Sequence, residues 1–151
     1  GATSGKLFAS GQSGERFAVR NSGAEAVVEG CDSNGCEYMT GGTVVILGKV
    51  GDNFAAGMTG GMAFIYDLNN EFENYVNFDS VIWQRPETDY WKNYLNNLIS
   101  EHFKETQSKI AEKILLNFNS EIKKFQQICP KEMLDKLANP LTLKPKILKA
   151  V

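Results

Sequence analysis

Histidine and cysteine, on which most metal and redox sites depend, are scarce in this sequence. Its 151 residues include one histidine and three cysteines, and an odd cysteine count argues against the disulfide framework of a secreted protein. No apolar run approaches the roughly 18 residues of a membrane-spanning helix, and no signal-peptide pattern is present. We therefore expect a soluble cytoplasmic protein with reduced thiols and no membrane partner.

Glycine is absent from residue 62 onwards. All 14 glycines lie between Gly1 and Gly61. Charge divides along a nearby line, since residues 1–90 hold 5 Lys/Arg and 12 Asp/Glu, whereas residues 91–151 hold 11 and 6. The lysines of the second part are spread through helix-like sequence, so we interpret them as a solvated surface and expect no nucleic-acid partner. Two kinds of structure are joined in one chain.

The glycines that are present repeat at a fixed interval. Gly23, Gly42 and Gly61 are spaced by 19 residues. The apolar runs that follow them keep the same register, at residues 26–28, 45–47 and 64–66. A period near 20 residues is typical of a solenoid, in which each repeat buries its apolar face only by stacking on the next.

The apolar runs themselves are typical of strands. They are short, rich in Val and Ile, and bounded by Gly, Asn and Asp, which favours buried strands over helices. The sequence predicts a mainly β fold, a single-stranded β-helix with a repeat of about 19 residues over residues 1–80. Its corners need residues that tolerate positive φ, and we assign Gly42 and Gly61 to matching corners.

The glycine doublets raise an alternative, because glycine-rich loops bind phosphates in nucleotide enzymes. The stretches "TGGTVVILG" and "GMTGGMAFIY" each place two glycines before an apolar run. No two glycines are separated by a single residue, and Val50 stands where a phosphate loop needs a hydroxyl. Each doublet also leads into a strand-like run, which removes the helix N-terminus that binds a phosphate. We interpret the doublets as structural and expect no cofactor in this chain.

Helical periodicity begins at about residue 87. Apolar side chains recur at three- and four-residue spacing in a first helix, which Thr88 or Asp89 caps. A second helix begins near Thr106 or Ser108. The sequence predicts a helical C-terminal segment over residues 81–151 that packs its apolar stripes on the solenoid.

The end of this segment is less regular. We expect the second helix to continue through Phe125 and Ile128 as far as Pro130, which interrupts it. A short helix over residues 131–138 and an extended basic tail that contains Pro145 complete the prediction.

Few residues have the types and spacing that catalysis needs. His102 lies beside the apolar stripe of the first helix, where a lone histidine is more often packed than catalytic. Cys31 and Cys36 are separated by four residues and supply half of a metal site, while Cys129 is far along the chain. The rival hypothesis to a structural role is a self-contained metal-binding module that uses Cys31, Cys36 and His102.

Carboxylates at predicted corners also have an ordinary explanation, since aspartate favours turns. The candidates are Glu37, Asp52 and Asp67. Nothing in the sequence pairs them with a nucleophile, and no nucleophile-elbow pattern is present. We therefore predict no catalytic, cofactor-binding or metal-binding residue in this chain.

Long stretches of the sequence resemble a known family. "YMTGGTVVILGKVGDNFAAGMTGGMAFIYD" and the preceding "GATSGKLFASGQSGERFAVRNSGAEAVVEG" closely resemble the C-terminal domain, called GXGXG, of the large (alpha) subunit of glutamate synthase. The similarity continues through "NFDSV" and "LISEHFKETQSKIAEKIL" and covers essentially the whole chain. Two features depart from the family. This chain has no Gly-x-Gly triplet, and the family's domain has further coils before the equivalent of Gly1.

The resemblance implies a right-handed β-helix at the end of a multidomain oxidoreductase. That enzyme uses the amide nitrogen of glutamine for reductive amination of 2-oxoglutarate to glutamate, a step of nitrogen metabolism. Its nucleophilic cysteine, FMN and iron–sulfur cluster belong to other domains. The solenoid is a non-catalytic scaffold between the glutaminase and FMN-synthase domains, so the resemblance implies that this chain is inactive alone. A weaker resemblance, to the solenoid subunit of formylmethanofuran dehydrogenase, keeps a self-contained metal-binding or oxidoreductase module as the alternative.

The start of the chain carries one more expectation. Because it opens on Gly1 without a methionine, we expect a piece of a longer polypeptide that begins partway through the solenoid. An uncapped coil presents unpaired strand edges that template association. Residues 6–9 and 16–19 would form this coil, so we expect the isolated chain to self-associate there, most simply as a two-fold dimer.

Overall fold

The computed structural model describes residues 1–143; residues 144–151, with the predicted extended tail around Pro145, lie outside the described part. The strands are β1 Lys6–Phe8, β2 Ser22–Val28, β3 Thr40–Ile46, β4 Gly60–Tyr66, β5 Val81–Gln84 and β6 Phe125–Pro130. The α-helices are α1 Asp89–Thr106, α2 Lys109–Leu116 and α3 Phe118–Glu121. Single 3₁₀ turns cover Phe72–Asn74, Ile122–Lys124 and Lys131–Met133.

The first four strands form a β-solenoid of about three turns. Strands β1 to β4 pair in chain order, each parallel to the next. Val27 lies opposite Phe8 on one side and Val45 on the other, and Val45 in turn lies opposite Phe64. One coil therefore returns the chain to the same position in the sheet, which confirms a mainly β fold built from the repeat.

The repeat slips by one residue between β2 and β3. Ser22 pairs with Gly41, but Glu25 pairs with Thr43, so β2 holds one extra residue over this interval. β3 carries an equivalent irregularity before β4, since Thr40 pairs with Gly60 but Thr43 pairs with Met62. In β2 the buried Asn21 side chain stabilises the bulge, because it donates to the carbonyl of Ala24 at 2.9 Å and accepts from the Ala24 N–H at 3.0 Å. The expected alignment of residues 26–28 with 45–47 is therefore wrong by one position.

The two glycines assigned to matching corners do have positive φ, at +82° for Gly42 and +81° for Gly61. A second stack of corners uses other residue types. Its positive-φ positions in three successive coils are Arg16, Ala18 and Arg20, then Asn34, Cys36 and Tyr38, then Asn53, Ala55 and Gly57. Backbone bonds between coils hold this stack together, for example Cys36 N–H to the Phe17 carbonyl at 2.8 Å.

Strands β2, β3 and β4 bury side chains on both faces, which explains why the apolar runs are continuous, whereas no residue of β1 is fully buried. Val44, Ile46 and Ile65 point into the solenoid with Phe54 and Met58. The opposite face packs against the helices. This second core contains Val45, Phe64, Leu95, Ile99, Ile114 and Phe125.

The part beyond residue 80 is not purely helical. Strand β6 pairs antiparallel with both β4 and β5, and it extends the solenoid sheet in the order β1-β2-β3-β4-β6-β5. The predicted helical continuation through Phe125 and Ile128 is wrong, because both residues belong to β6. An extended segment there satisfies the backbone groups along the open edge of β4, which a helix does not. The predicted helix over residues 131–138 is reduced to the 3₁₀ turn Lys131–Met133.

The helices begin where the capping residues predict. Thr88 caps α1 by accepting from the Trp91 N–H, and Ser108 caps α2 by accepting from the Ala111 N–H. Both helices lie over the sheet, with α1 in contact with β1 and β2. None of the helices within residues 1–143 combines the length and the apolar character needed to cross a membrane.

Candidate functional site

Two glutamates of one coil face the helices that cover it. Glu25 lies in β2 and Glu29 follows directly after that strand. Tyr94 and His102 of α1 and Ser108 at the start of α2 approach them. We call these five residues the carboxylate seam. Ionisable groups gathered at a junction between elements are candidates for function as well as for structure.

Glu29 is the centre of one end of the seam. The Ser108 hydroxyl donates a hydrogen bond to Glu29, while its oxygen accepts from the Ala111 N–H at 3.2 Å. The Nε2 atom of His102 lies 3.8 Å from Glu29 Oε1, too far for a hydrogen bond. The other side of the imidazole faces the ring of Phe8, with 6.0 Å between ring centroids.

His102 is fully buried, as its position beside the apolar stripe indicates. Neither ring nitrogen has a hydrogen-bond partner among residues 1–143. Burial lowers the pKa of the imidazole below its usual 6.5, and Glu29 opposes this shift only in part. The ring is therefore neutral at physiological pH.

The order of these groups does not fit nucleophilic catalysis. In a Ser-His-Asp triad the imidazole stands between the hydroxyl and the carboxylate, so that it can take the hydroxyl proton. Here the Ser108 hydroxyl donates to the carboxylate of Glu29, and no hydrogen bond joins Ser108 to His102 in the described part of the chain. The arrangement ties the start of α2 to the solenoid.

Glu25 ties α1 to the solenoid at the other end of the seam. The Tyr94 hydroxyl donates to Glu25 and lies 3.0 Å from the hydroxyl of Thr43 on the next coil. Burial, with the hydrogen bond to Glu25, raises the pKa of Tyr94 to about 12. Lys6 is 3.7 Å from Glu25 and 2.9 Å from Glu101 of α1, so it links β1, β2 and the helix.

A similar pair fastens α3. The hydroxyl of Tyr66, at the end of β4, donates to the carboxylate of Glu121, and Lys124 lies 3.1 Å from the same group. The hydrogen bond from Tyr66 is the main reason that the pKa of Glu121 is lowered. Each of these carboxylates therefore accepts a hydrogen bond that joins a helix to the sheet. The sequence alone did not predict these hydrogen-bonded carboxylates. Their only indication in the sequence is that acidic residues lie beside apolar runs.

The three cysteines lie in two different cores. Cys31 and Cys36 are buried inside the solenoid, and Cys129 is buried under the helices. Burial raises the pKa of Cys31 and of Cys129 to about 11, and that of Cys36 well above its usual value. Neutral thiols are poor metal ligands, because metals bind the thiolate. The cysteines of this chain do not fit an iron–sulfur cluster.

Cys36 has direct structural equivalents in the neighbouring coils. Its φ is +56°, and the residues at the same position of the corner stack are Ala18 at +60° and Ala55 at +64°. A small side chain is therefore what this corner position holds in each of the three coils. The sulfur of Cys36 fills space that a methyl group occupies in the adjacent coils.

The carboxylates that were predicted at corners lie apart from one another. Asp67 accepts from the N–H groups of Glu71 at 2.9 Å and Phe72 at 3.2 Å, so it stabilises a turn. Glu37 and Asp52 lie in separate turns of the corner stack. No group of three or more His, Cys, Asp or Glu within the described residues has the geometry to hold a metal ion.

An apolar groove lies on the outside of the seam. It has a volume of about 440 Å³ and separates the ends of β3 and β4 from α2. Its walls include Leu47, Tyr66, Ile110, Lys49, Lys109 and Lys113, and we call it the lysine groove. The lysine groove was not predicted from the sequence, because its walls come from three distant stretches of the chain.

Comparison with known proteins agrees with this fold. The sequence profile of the GXGXG motif family matches residues 1–131. The chain belongs to the GXGXG family. It is 62% identical over 150 residues to the large chain of an NADPH glutamate synthase from Azospirillum brasilense, which covers 99% of this chain and 10% of that protein. It is 48% identical over 132 residues to the NADH glutamate synthase of Schizosaccharomyces pombe, covering 87% of this chain and 6% of the relative.

The similarity extends to bacterial and chloroplast enzymes. The NADPH glutamate synthase large chain of Bacillus subtilis is 42% identical over 140 residues, covering 92% of this chain and 9% of its own length. The chloroplastic ferredoxin-dependent glutamate synthase of Spinacia oleracea is 50% identical over 130 residues, covering 86% and 8%. The chain thus spans a tenth or less of these relatives. It is a GXGXG domain of the glutamate synthase type, although its sequence contains no Gly-x-Gly triplet.

Proposed function

We propose that this GXGXG domain is a non-catalytic scaffold within a glutamate synthase polypeptide. The parent enzyme carries out glutamine-dependent reductive amination of 2-oxoglutarate to glutamate, and this domain packs against its glutaminase and FMN-synthase domains in the cytoplasm. The seam supports this proposal most directly. Its carboxylates accept hydrogen bonds that join helices to the solenoid, and the imidazole of His102 makes no hydrogen bond to Ser108 through which it could take the hydroxyl proton.

The organisation of the domain is a second part of this proposal. We propose that the coil is right-handed, that residues 1–80 are the solenoid and that residues 81–151 act as its cover. The two parts share one sheet, because β5 and β6 continue it beyond β4. The cover therefore closes the last coil with a strand and one face of the sheet with helices, which gives the scaffold a defined end.

The experiment is an assay of the purified chain. Glutamine, 2-oxoglutarate and a chemical electron donor are supplied, and glutamate formed above the hydrolytic background is measured, together with bound metal and the visible spectrum. We expect no turnover and no stoichiometric iron, zinc or flavin. Turnover, or stoichiometric metal lost on replacing Cys31 and Cys36 with alanine, would favour the self-contained metal-binding or oxidoreductase module instead.

A further inference from the structure

The lysine groove has an apolar floor that the domain does not cover. Leu47 and Tyr66 at the ends of β3 and β4 form one wall, and Ile110 of α2 forms the other. Leu68, which also lines the groove, is 58% exposed. An exposed aliphatic side chain beside an apolar depression is typical of an interaction surface.

Basic side chains line this floor, while Glu121, whose pKa Lys113 helps to lower, accepts a hydrogen bond from the hydroxyl of Tyr66. Lys49, Lys109 and Lys113 line the groove, and no acidic residue does. None of these three lysines forms an ion pair within residues 1–143. The neighbouring Asp67 is oriented away by the turn that it stabilises, since it accepts from two backbone N–H groups there. The groove therefore selects a negatively charged occupant.

The charge also disfavours one candidate occupant. Residues 144–151 follow the described part of the chain, and they contain three lysines and no carboxylate. Three lysines beside three further lysines bring like charges together. Charge therefore favours an acidic segment over this composition as the occupant.

We propose that the lysine groove is a docking site for an acidic polypeptide segment from the remainder of the parent enzyme. One large apolar side chain of that segment fills the groove, and flanking carboxylates pair with Lys49, Lys109 and Lys113. The volume of about 440 Å³ accommodates such an anchor together with part of its backbone. The proposal rests on the proposed function, because it assumes that other domains surround this one.

The test is a titration of the ¹⁵N-labelled chain with three synthetic peptides, followed by NMR. The first is eight residues long, with a central Leu-Phe between three acidic residues on each side. In the second, lysines replace the acidic residues, and in the third Gly-Gly replaces Leu-Phe. We expect the first peptide to shift the amides of Leu68, Ile110 and Lys113. The other two should bind at least about tenfold more weakly, since neither supplies both the anchor and the charge.

Charge-reversal variants locate the binding energy. The double substitution Lys109→Glu and Lys113→Glu should weaken the first peptide at least about tenfold, since two favourable ion pairs become repulsive contacts. Lys104→Glu, on the exposed last turn of α1, is the matched control and should bind as the unsubstituted chain does. Thermal melting of each variant verifies that it is folded.

Three results would overturn the proposal. They are equal affinity for the acidic and basic peptides, shifts confined to residues outside the groove, and concentration-dependent shifts at the groove without peptide, which would assign it to a second copy of this chain. Because the titration does not involve turnover, a failure here leaves the scaffold proposal standing. Turnover in the activity assay would overturn the scaffold proposal whatever the peptide titration shows, so the two failures can be told apart.

Discussion

Replacing Gly61 with valine tests a close backbone contact between two stacked coils. Gly61 has a φ of +81°, and a β-carbon there would lie 2.7 Å from the Gly42 carbonyl oxygen and 2.9 Å from the Gly41 carbonyl carbon. These neighbours are backbone atoms of the preceding coil, so they cannot rotate away as a side chain can. A β-branched residue at positive φ also carries backbone strain of about 1–3 kcal/mol.

Strain and steric overlap together predict a loss of about 2–6 kcal/mol in the free energy of unfolding, because overpacking adds about 1–3 kcal/mol to the backbone strain. For a chain of this length the loss lowers the melting temperature by about 4–24 °C. Differential scanning calorimetry of the purified chain measures both quantities. Gly14→Val is the matched control, because no heavy atom outside its chain neighbours lies within 4 Å of a β-carbon there. Equal melting temperatures for the two variants would refute the stacking argument.

The remaining predictions concern other contacts of the domain. Because the pKa of His102 is lowered in the folded state, the unfolded chain binds more protons than the folded chain below pH 6.5. Stability therefore falls as the pH drops through that value, and His102→Gln should flatten this part of a plot of melting temperature against pH. An unchanged slope in the variant would contradict this prediction. Tyr66→Phe should lower the free energy of unfolding, measured by chemical denaturation, by about 1–3 kcal/mol, because Glu121 loses its buried hydrogen-bond donor. A loss of less than about 0.5 kcal/mol, the usual effect of a surface substitution, would count against a stabilising role of this hydrogen bond. Leu7→Glu should reduce self-association through the first coil in sedimentation experiments. Leu7 is the residue to change because it is 48% exposed, whereas Phe8 packs against the helices. A dimer that the substitution does not affect would assign the association to another surface.

The solenoid follows from the sequence because its signal is local and repeated. Spaced glycines and continuous apolar runs predict the parallel strands, and Thr88 and Ser108 predict the helix starts. The register shifts do not follow, since β2 and β3 both carry one although Asn21 in one coil aligns with Thr40 in the next. Strand β6 is also hidden, because Phe125 and Ile128 are three residues apart, a spacing that suits a helix equally well.

The candidate site depends even more on long-range contacts. The seam joins Glu29 to Ser108, 79 positions away, and Tyr66 joins Glu121 across 55 positions. No periodicity within one element predicts such pairs. The burial of His102 is predictable from its position beside the apolar stripe of α1. The lack of hydrogen bonds to its ring nitrogens results from the arrangement of Glu29 and Phe8 around the ring.

The most direct test of the scaffold account is turnover of the complete parent polypeptide with the candidate chemical groups of this domain removed. Cys31, Cys36 and Cys129 are replaced by alanine and His102 by glutamine, and the rate of glutamate formation per folded enzyme is measured. Alanine is the residue that adjacent coils hold at the position of Cys36, so its replacement should be well tolerated. The account predicts a kcat within about twofold of the unsubstituted enzyme, whereas loss of a catalytic acid, base or nucleophile lowers it by about 10²-fold or more. A loss of that size in enzyme whose folded fraction is unchanged would contradict the account.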